Sequence, residues 1–253
     1  MLAASTPVVN SGVVVRAAEV MWSRLSARTP SGLDLAFPAS CGIVLSLGVV
    51  WSDAWHPARN VITWVHELGH AAASLLTGGN IRGIKMHRDT SGETIYSGRP
   101  GLRAALVAFA GHPAPAILSL TLSLAARAGF SEGAVAGVGL LALLTLPLVR
   151  TFWAVLVVLL VIAAVLTSMM VLHPVAAAWM ATLLACFLLA GSLKGIIEEQ
   201  QQIHDGTVGP PGPSLDTLSV ARRLHMPAAL VVALWLLAWG ILACLSALLL
   251  YAS

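Results

Sequence analysis

The chain has 253 residues, of which 58% are hydrophobic and only 10% carry a charge, and its net charge is +3. Soluble domains average roughly 25% charged residues, so this composition excludes an ordinary water-soluble domain, and its hydrophobicity excludes a disordered chain. A mean hydropathy of +0.87 indicates a protein that crosses a lipid bilayer several times. Nucleic acid is not an expected partner, because no basic cluster is interleaved with aromatic residues.

Residues 1–35 form an N-terminal segment ahead of the membrane-embedded part, and we interpret residues 36–253 as a single domain. Arg16 and Glu19 interrupt the apolar run near the N-terminus, so we expect no cleavable signal peptide. Residues 8–25 are consistent with a weak amphipathic helix on the membrane surface or with a disordered segment.

Seven apolar stretches approach the length of about 20 residues that a membrane helix needs. They are residues 36–54, 58–77, 103–126, 132–149, 151–172, 174–193 and 227–251. The first is weak, with Pro38 near its start and Asp53 at its end, and six crossings result if it is re-entrant or interfacial. We therefore predict an all-α polytopic membrane protein with about seven transmembrane helices, or six.

The distribution of Lys and Arg gives an expected orientation for seven crossings. With the N-terminus in the cytoplasm, twelve of these residues fall on the inner side, and only Arg59 and Arg127 fall on the outer side. Cytoplasmic loops are enriched in Lys and Arg, so we expect a cytoplasmic N-terminus and an external C-terminus.

Two cytoplasmic loops, 78–102 and 194–226, are long enough to contain structure of their own. In the first, apolar residues flank the turn sequence of residues 89–92, which predicts a small β-hairpin directly after the second span. The second contains a helix-breaking Gly/Pro run at residues 209–213. We interpret Glu198 and Glu199, at its start, as a solvated helix end.

The second span contains the sequence His66-Glu67-Leu68-Gly69-His70. His66 and His70 are four residues apart and share a helix face, so both imidazoles can bind one metal ion. Glu67 can reach a water on that ion, as the general base of zinc hydrolases does. Ionisable residues inside a span are costly and usually functional, which favours a metal site over a polar face with two structural histidines.

The sequence resembles the site-2 protease family of intramembrane zinc metallopeptidases (peptidase family M-fifty), and within it the compact bacterial branch without a PDZ domain. The resemblance rests on residues 66–71, 75–79, 81–84 and 110–115, and on Asp216 ahead of residues 227–229 and Trp235. It implies Zn²⁺ as the cofactor, a transmembrane protein or peptide as the substrate, and a bacterial plasma membrane as the location. It does not indicate an oligomeric state.

Two features depart from the family's pattern. His112 occupies a position where this branch usually carries Tyr, and the Leu-Asp-Gly ligand motif of distant members is absent. In this branch a Ser-Asp-Ala-like segment before the last helix is its replacement, and here that segment reads Ser214-Leu215-Asp216-Thr217. The resemblance therefore implies Asp216 as the third metal ligand.

The residues themselves leave alternatives for this ligand. Catalytic zinc sites generally have three protein ligands, so two histidines leave the site incomplete. Asp216 is preferred because it lies just before the last span on the expected inner side, and His112, His204 and Asp205 are the alternatives. His112 is also a candidate for stabilising an oxyanion or contacting substrate, or else a histidine satisfied by a neighbouring helix.

The sequence thus predicts an intramembrane zinc metalloprotease in which Glu67 activates the attacking water. We expect the hairpin in residues 78–102 to offer an edge strand to an unwound substrate segment. One alternative is a non-catalytic binding or regulatory protein of the same fold. Another is a divalent-metal transporter, which would need further intramembrane carboxylates.

Overall fold

A computed structural model describes residues 33–206 and 215–251, together with single positions between residues 16 and 29. The expected surface segment at residues 8–25, apart from four single positions, and the Gly/Pro run at residues 209–213 lie outside the described residues.

Between residues 33 and 251 the described residues form nine α-helices and one two-stranded antiparallel sheet. In chain order these elements are α1 (Ala36–Val50), α2 (Trp55–Leu76), β1 (Asn80–Met86), β2 (Gly92–Ser97), α3 (Leu102–Ala110), α4 (Pro113–Arg127), α5 (Ser131–Thr145), α6 (Phe152–Val171), α7 (Pro174–His204), α8 (Asp216–Leu224) and α9 (Ala228–Tyr251). A short 3₁₀ turn, Leu146–Leu148, extends α5. The predicted helical membrane fold with a small hairpin is confirmed.

The described helices allow four to six membrane crossings rather than seven. Four are long and apolar enough to cross alone: α5 with its 3₁₀ turn, α6, α7 and α9. The pair α1 and α2 is bent by 109°, the pair α3 and α4 is bent by 59°, and each pair counts as at most one crossing. With 15 residues, α1 is only about 22 Å long, whereas the bilayer core is about 30 Å thick. The stretches 36–54 and 58–77 are therefore not two independent crossings, and the seven-span count is wrong.

The first and last helices have their outer ends at the same end of the bundle. Leu35 and Ala39 share an apolar cluster with Leu250, and the hydroxyls of Ser40 and Tyr251 are 2.9 Å apart. We call this the terminal end. The expectation that the two termini of the bundle lie on opposite sides is therefore not met, because the bend after α1 removes one crossing.

The opposite end of the bundle carries the bend between α1 and α2, the hairpin, α8 and the last turns of α7. Trp55 at the start of α2 donates its indole N–H to Glu198 of α7 at 2.7 Å, and Arg59 pairs with the same carboxylate at 3.3 Å. We call this the site end, because the residues of the predicted site belong to the elements gathered there.

The hairpin lies alongside α2. Its strands pair with one irregularity between Ile81 and Gly83. Its tip is held to α2 by Thr90, whose carbonyl accepts a 2.9 Å bond from Thr63 and whose hydroxyl accepts a 3.0 Å bond from Arg59. The predicted turn at residues 89–92 thus connects the two strands and anchors the hairpin against the helix that carries the motif.

One edge of the sheet is already occupied. On the outer side of β1, Ile84 pairs with Val149, and the N–H of Arg150 donates to the Ile84 carbonyl at 2.8 Å. Among the described residues, β2 has no strand on its outer side, so this edge of the sheet is available.

Candidate metal centre

The two motif histidines meet on one face of α2, as their spacing predicts. Their Nε2 atoms are 3.0 Å apart. His70 Nδ1 lies 2.7 Å from the carbonyl oxygen of Val107 in α3, and a carbonyl can only accept. His70 must therefore carry its proton on Nδ1, which leaves Nε2 free to bind a metal ion.

Asp216, the first residue of α8, lies against both histidines. Its Oδ2 is 2.9 Å from His66 Nε2 and 3.0 Å from His70 Nε2, so three donor atoms form a nearly equilateral triangle. A tetrahedral ion with ligand distances of about 2.0–2.1 Å separates its ligands by about 3.3 Å. Two imidazoles and one carboxylate are a donor set that suits Zn²⁺ and leave a fourth position for water. The residues thus fit such an ion.

Electrostatics also favour an ionised Asp216. Burial raises the pKa of its carboxyl, but the electrostatic attraction of the His70 ring and the hydrogen bonds to His66 and His70 outweigh burial. The pKa of Asp216 therefore lies well below its ordinary value, and the side chain is a carboxylate ready to bind a cation.

Glu67 is buried beside the triangle and is held by the hairpin. Thr94 of β2 donates its hydroxyl to Glu67 Oε2 at 2.6 Å and also approaches the Glu67 backbone carbonyl at 3.0 Å. A Cβ on Gly92 would lie 2.3 Å from Glu67 Oε1, so the carboxylate fits only because Gly92 has no side chain. The hairpin therefore sets the position of the predicted general base.

Gly111, between α3 and α4, has a comparable role for the histidines. A Cβ at this position would lie 2.5 Å from His66 Nε2 and 2.6 Å from His70 Nε2. Real Cβ atoms do not approach other atoms so closely, so any larger residue would displace the imidazoles. Gly111 belongs to the residues that carry the family resemblance, but no sequence pattern indicates this requirement.

His112 also lies at the site. Its ring packs edge-on against the His66 ring, with the centroids 4.8 Å apart. It is tilted against the Trp235 ring, with the centroids 4.2 Å apart. A ligand atom of His112 lies within 4.8 Å of one from His66 and one from Asp216, and these two are also that close to each other. His112 therefore stays an alternative ligand. Its Nε2, however, is hydrogen-bonded to Glu199.

Glu199 is the functional candidate that the sequence analysis missed. The interpretation of Glu199 as a solvated helix end is wrong, because the residue is only 8% exposed and binds His112. Its neighbour Glu198 is partly buried and paired with Arg59. The signal that could have identified Glu199 is its spacing from Ser192 and Gly195, which puts all three on one face of α7.

The remaining candidates lie away from the triangle. His204 and Asp205 are exposed at the end of α7, and neither lines the cavity that contains the site. The cavity itself has a volume of about 340 Å³ and reaches from the histidines past β2 to α8. Its lining includes Thr94, Tyr96, Ser219 and Arg223.

The peptidase M50B-like family matches residues 39–248 of this chain. The match covers most of the chain, from within α1 to within α9, so the chain belongs to this peptidase family. The resemblance seen in the sequence is thereby confirmed. No curated protein and no solved structure matches the chain. Family membership and the apolar helices together indicate a protease embedded in a membrane.

Replacing Asp216 by Asn tests its role as a ligand. We expect Asp216→Asn to lose most of the bound zinc, because an amide has no negative charge to offset that of the ion. Asp205→Asn, an exposed carboxylate on the neighbouring helix, should bind zinc as the unmodified protein does. Zinc per chain is measured by elemental analysis of detergent-purified protein. Full zinc content in Asp216→Asn would exclude Asp216 as the third ligand.

Proposed function

We propose that this protein is an intramembrane zinc metalloprotease that hydrolyses peptide bonds in or near the transmembrane segments of other membrane proteins. The observation that carries the proposal is the triangle of donor atoms from His66, His70 and Asp216, with sides of 2.9–3.0 Å, beside the buried carboxylate of Glu67. The cavity around these residues offers room for an extended peptide segment.

When bound by these three residues, Zn²⁺ supplies Lewis-acid chemistry that lowers the pKa of water and polarises the scissile carbonyl. Glu67 takes the proton of the attacking water and transfers it to the leaving amine. Thr94 keeps the Glu67 carboxylate aimed at the site through its 2.6 Å hydrogen bond. His112 lies next to His66, where its remaining ring nitrogen can contact the substrate carbonyl as negative charge develops.

The free edge of β2 supports a way to hold the substrate. A transmembrane helix hides its peptide bonds in its own hydrogen bonds, so a protease must unwind it. An unwound segment that pairs with β2 would have its backbone bonds satisfied and would lie next to Glu67, since Thr94 of the same strand contacts that residue.

Hydrogen exchange tests this edge. On addition of a peptide hydroxamate, which binds zinc and extends as a strand, the β2 amides that point away from β1 should exchange more slowly. The β1 amides that pair with β2, and the Met86 amide that donates to the Thr151 hydroxyl, should change little. Unchanged exchange in β2 with a saturating inhibitor would rule out strand pairing.

Two alternatives are less well supported. A non-catalytic binding protein would not need the carboxylate of Glu67 beside the three donor atoms. A metal transporter would need a series of carboxylates along the bundle. Among the described residues, Glu132 at the terminal end is the only buried carboxylate that lies away from the site.

Glu67→Gln tests the hydrolase. The variant should keep its zinc, because Glu67 is not among the proposed ligands, and should lose about 10²–10⁴-fold in cleavage rate with the general base. Cleavage is followed by comparing membrane protein fragments between cells that express the two forms. Asp205→Asn provides the control for expression and insertion. Loss of zinc in Glu67→Gln to the same degree as in His66→Ala would mean that Glu67 is a ligand and the assigned roles are wrong.

The packing supports an orientation with the site end in the cytoplasm. Ten Lys and Arg residues belong to the segments at the site end: Arg59, Arg82, Lys85, Arg88, Arg99, Arg103, Arg150, Lys194, Arg222 and Arg223. Arg28 and Arg127 lie at the terminal end, and Arg16 and Arg24 precede α1. The positive-inside rule then favours a cytoplasmic hairpin, as expected, but external ends for α1 and α9. This orientation replaces the cytoplasmic N-terminus expected for seven crossings.

Cysteine labelling tests the orientation in a background without the three native cysteines. An impermeant maleimide should label Ala128→Cys, at the terminal end, in intact cells. Ser91→Cys, at the hairpin tip, should react only after the membrane is permeabilised. The reverse pattern would mean that the site end faces outward.

A further inference from the structure

Helix α7 is longer than a membrane crossing requires, and its extra turns reach the metal centre. It has 31 residues, whereas about 20 cross a bilayer. Ser192, Gly195 and Glu199 form one face of these turns and line the site cavity. Glu198 points elsewhere, towards Trp55 and Arg59 of α2. Two adjacent carboxylates of α7 therefore serve different parts of the structure.

Both oxygens of the Glu199 carboxylate are bound by different elements. Oε2 contacts Nε2 of His112 at the start of α4. Oε1 accepts the backbone N–H of Thr217 at 2.8 Å. Thr217 follows Asp216 directly and is completely buried. Glu199 thus connects α7 with the two elements that bring His112 and Asp216 to the site.

The bond to Thr217 acts as the cap of α8. The first amides of a helix have no acceptor within the helix, and a nearby side chain usually accepts from them. Leu215, at the capping position of α8, makes no side-chain cap. Glu199 accepts from this first turn instead, so a residue of another helix fixes the backbone that carries Asp216.

The bond to His112 fixes a ring that has little other polar support. The ring lies between His66 and Trp235, which are aromatic contacts and allow sliding. The backbone at His112 is also held by α7, because Ser192 donates its hydroxyl to the His112 carbonyl at 2.9 Å. Side chain and backbone of His112 are therefore both positioned by the same helix.

We infer that Glu199 is a positioning residue of the active site, which holds Asp216 and His112 in place relative to His66 and His70. The inference rests on the proposed function, because Asp216 matters to catalysis only as a ligand. The Glu199 carboxylate is bonded to His112 and to the backbone of Thr217, and it acts through these partners. Residues that orient metal ligands in this way typically change metal affinity by about 10–100-fold when they are lost.

The experiment compares three replacements of Glu199 with one of its neighbour in the full-length, detergent-purified protein. Glu199→Ala and the size-matched Glu199→Met remove both hydrogen bonds, whereas Glu199→Gln keeps an oxygen that can accept from Thr217. Glu198→Ala is the matched control, because Glu198 is adjacent, also paired, and not bonded to α8. Zinc affinity is measured by chelator competition, and exchange of the Thr217 amide is measured in zinc-free protein.

We expect Glu199→Ala and Glu199→Met to bind zinc about 10–100-fold more weakly and to exchange the Thr217 amide faster. Glu199→Gln should restore slow exchange and most of the affinity, and Glu198→Ala should match the unmodified protein in both. If Glu199→Ala does not fold, the comparison of Glu199→Met with Glu199→Gln tests the inference without it.

Two results would overturn the inference: unchanged zinc affinity and amide exchange in folded Glu199→Met, or an equal loss in Glu198→Ala. Failure of the unmodified protein to bind zinc is a different result. It overturns the proposed function and with it the role of Asp216, while exchange in zinc-free protein still reports whether Glu199 caps α8.

Discussion

Ionisable side chains in an apolar interior must satisfy one another, because water is scarce there, and this requirement shapes the centre of the molecule. His70 needs the carbonyl of Val107, so α3 must lie against α2. Glu67 needs the hydroxyl of Thr94, so the hairpin must run beside the same helix. Each of these polar groups is hydrogen-bonded to a different element, and these bonds determine how the elements at the site end are arranged.

The site also requires backbone segments to lie very close to other groups, and glycine makes this possible at three positions around it. Gly111 leaves room for the two imidazoles, and Gly92 leaves room for the Glu67 carboxylate. Gly69, inside the motif, brings α2 against the end of α3 and the start of α4, since a Cβ there would lie 2.5 Å from the carbonyl oxygen of Ala110 and 2.6 Å from the Cβ of Ala114. A site built mainly from side chains of long reach would be looser, because each added bond is another rotation to restrain. Here short distances between backbones fix the positions of the reactive groups.

The sequence was informative where the relevant contacts are local. Helical periodicity predicts that His66 and His70 share a face, and turn residues predict the hairpin, and the structure agrees with both. Asp216 was inferred as a ligand from resemblance and position; the structure brings it to the histidines, and its role stays a prediction.

The failures concern contacts between distant segments. A hydropathy profile shows that α7 becomes polar after residue 193, but it cannot show that Glu199 is buried and bonded to His112, 87 positions away. It also cannot show that the chain turns by 109° after α1, because hydropathy reports how apolar a segment is and not the direction in which it runs. Burial of polar residues and direction of helices are tertiary properties, and a single chain read in sequence order contains little direct information on either.

The order of the proposed ligands along the chain has a consequence for how the protein is made. His66 and Asp216 are 150 positions apart, and a membrane protein is synthesised and inserted from its N-terminus. A nascent chain therefore presents two histidines long before it can offer the carboxylate, and two ligands hold a metal ion poorly. Completion of the proposed metal site therefore falls late in synthesis, and a chain truncated before Asp216 would contain most of the bundle but not the complete set of donor atoms.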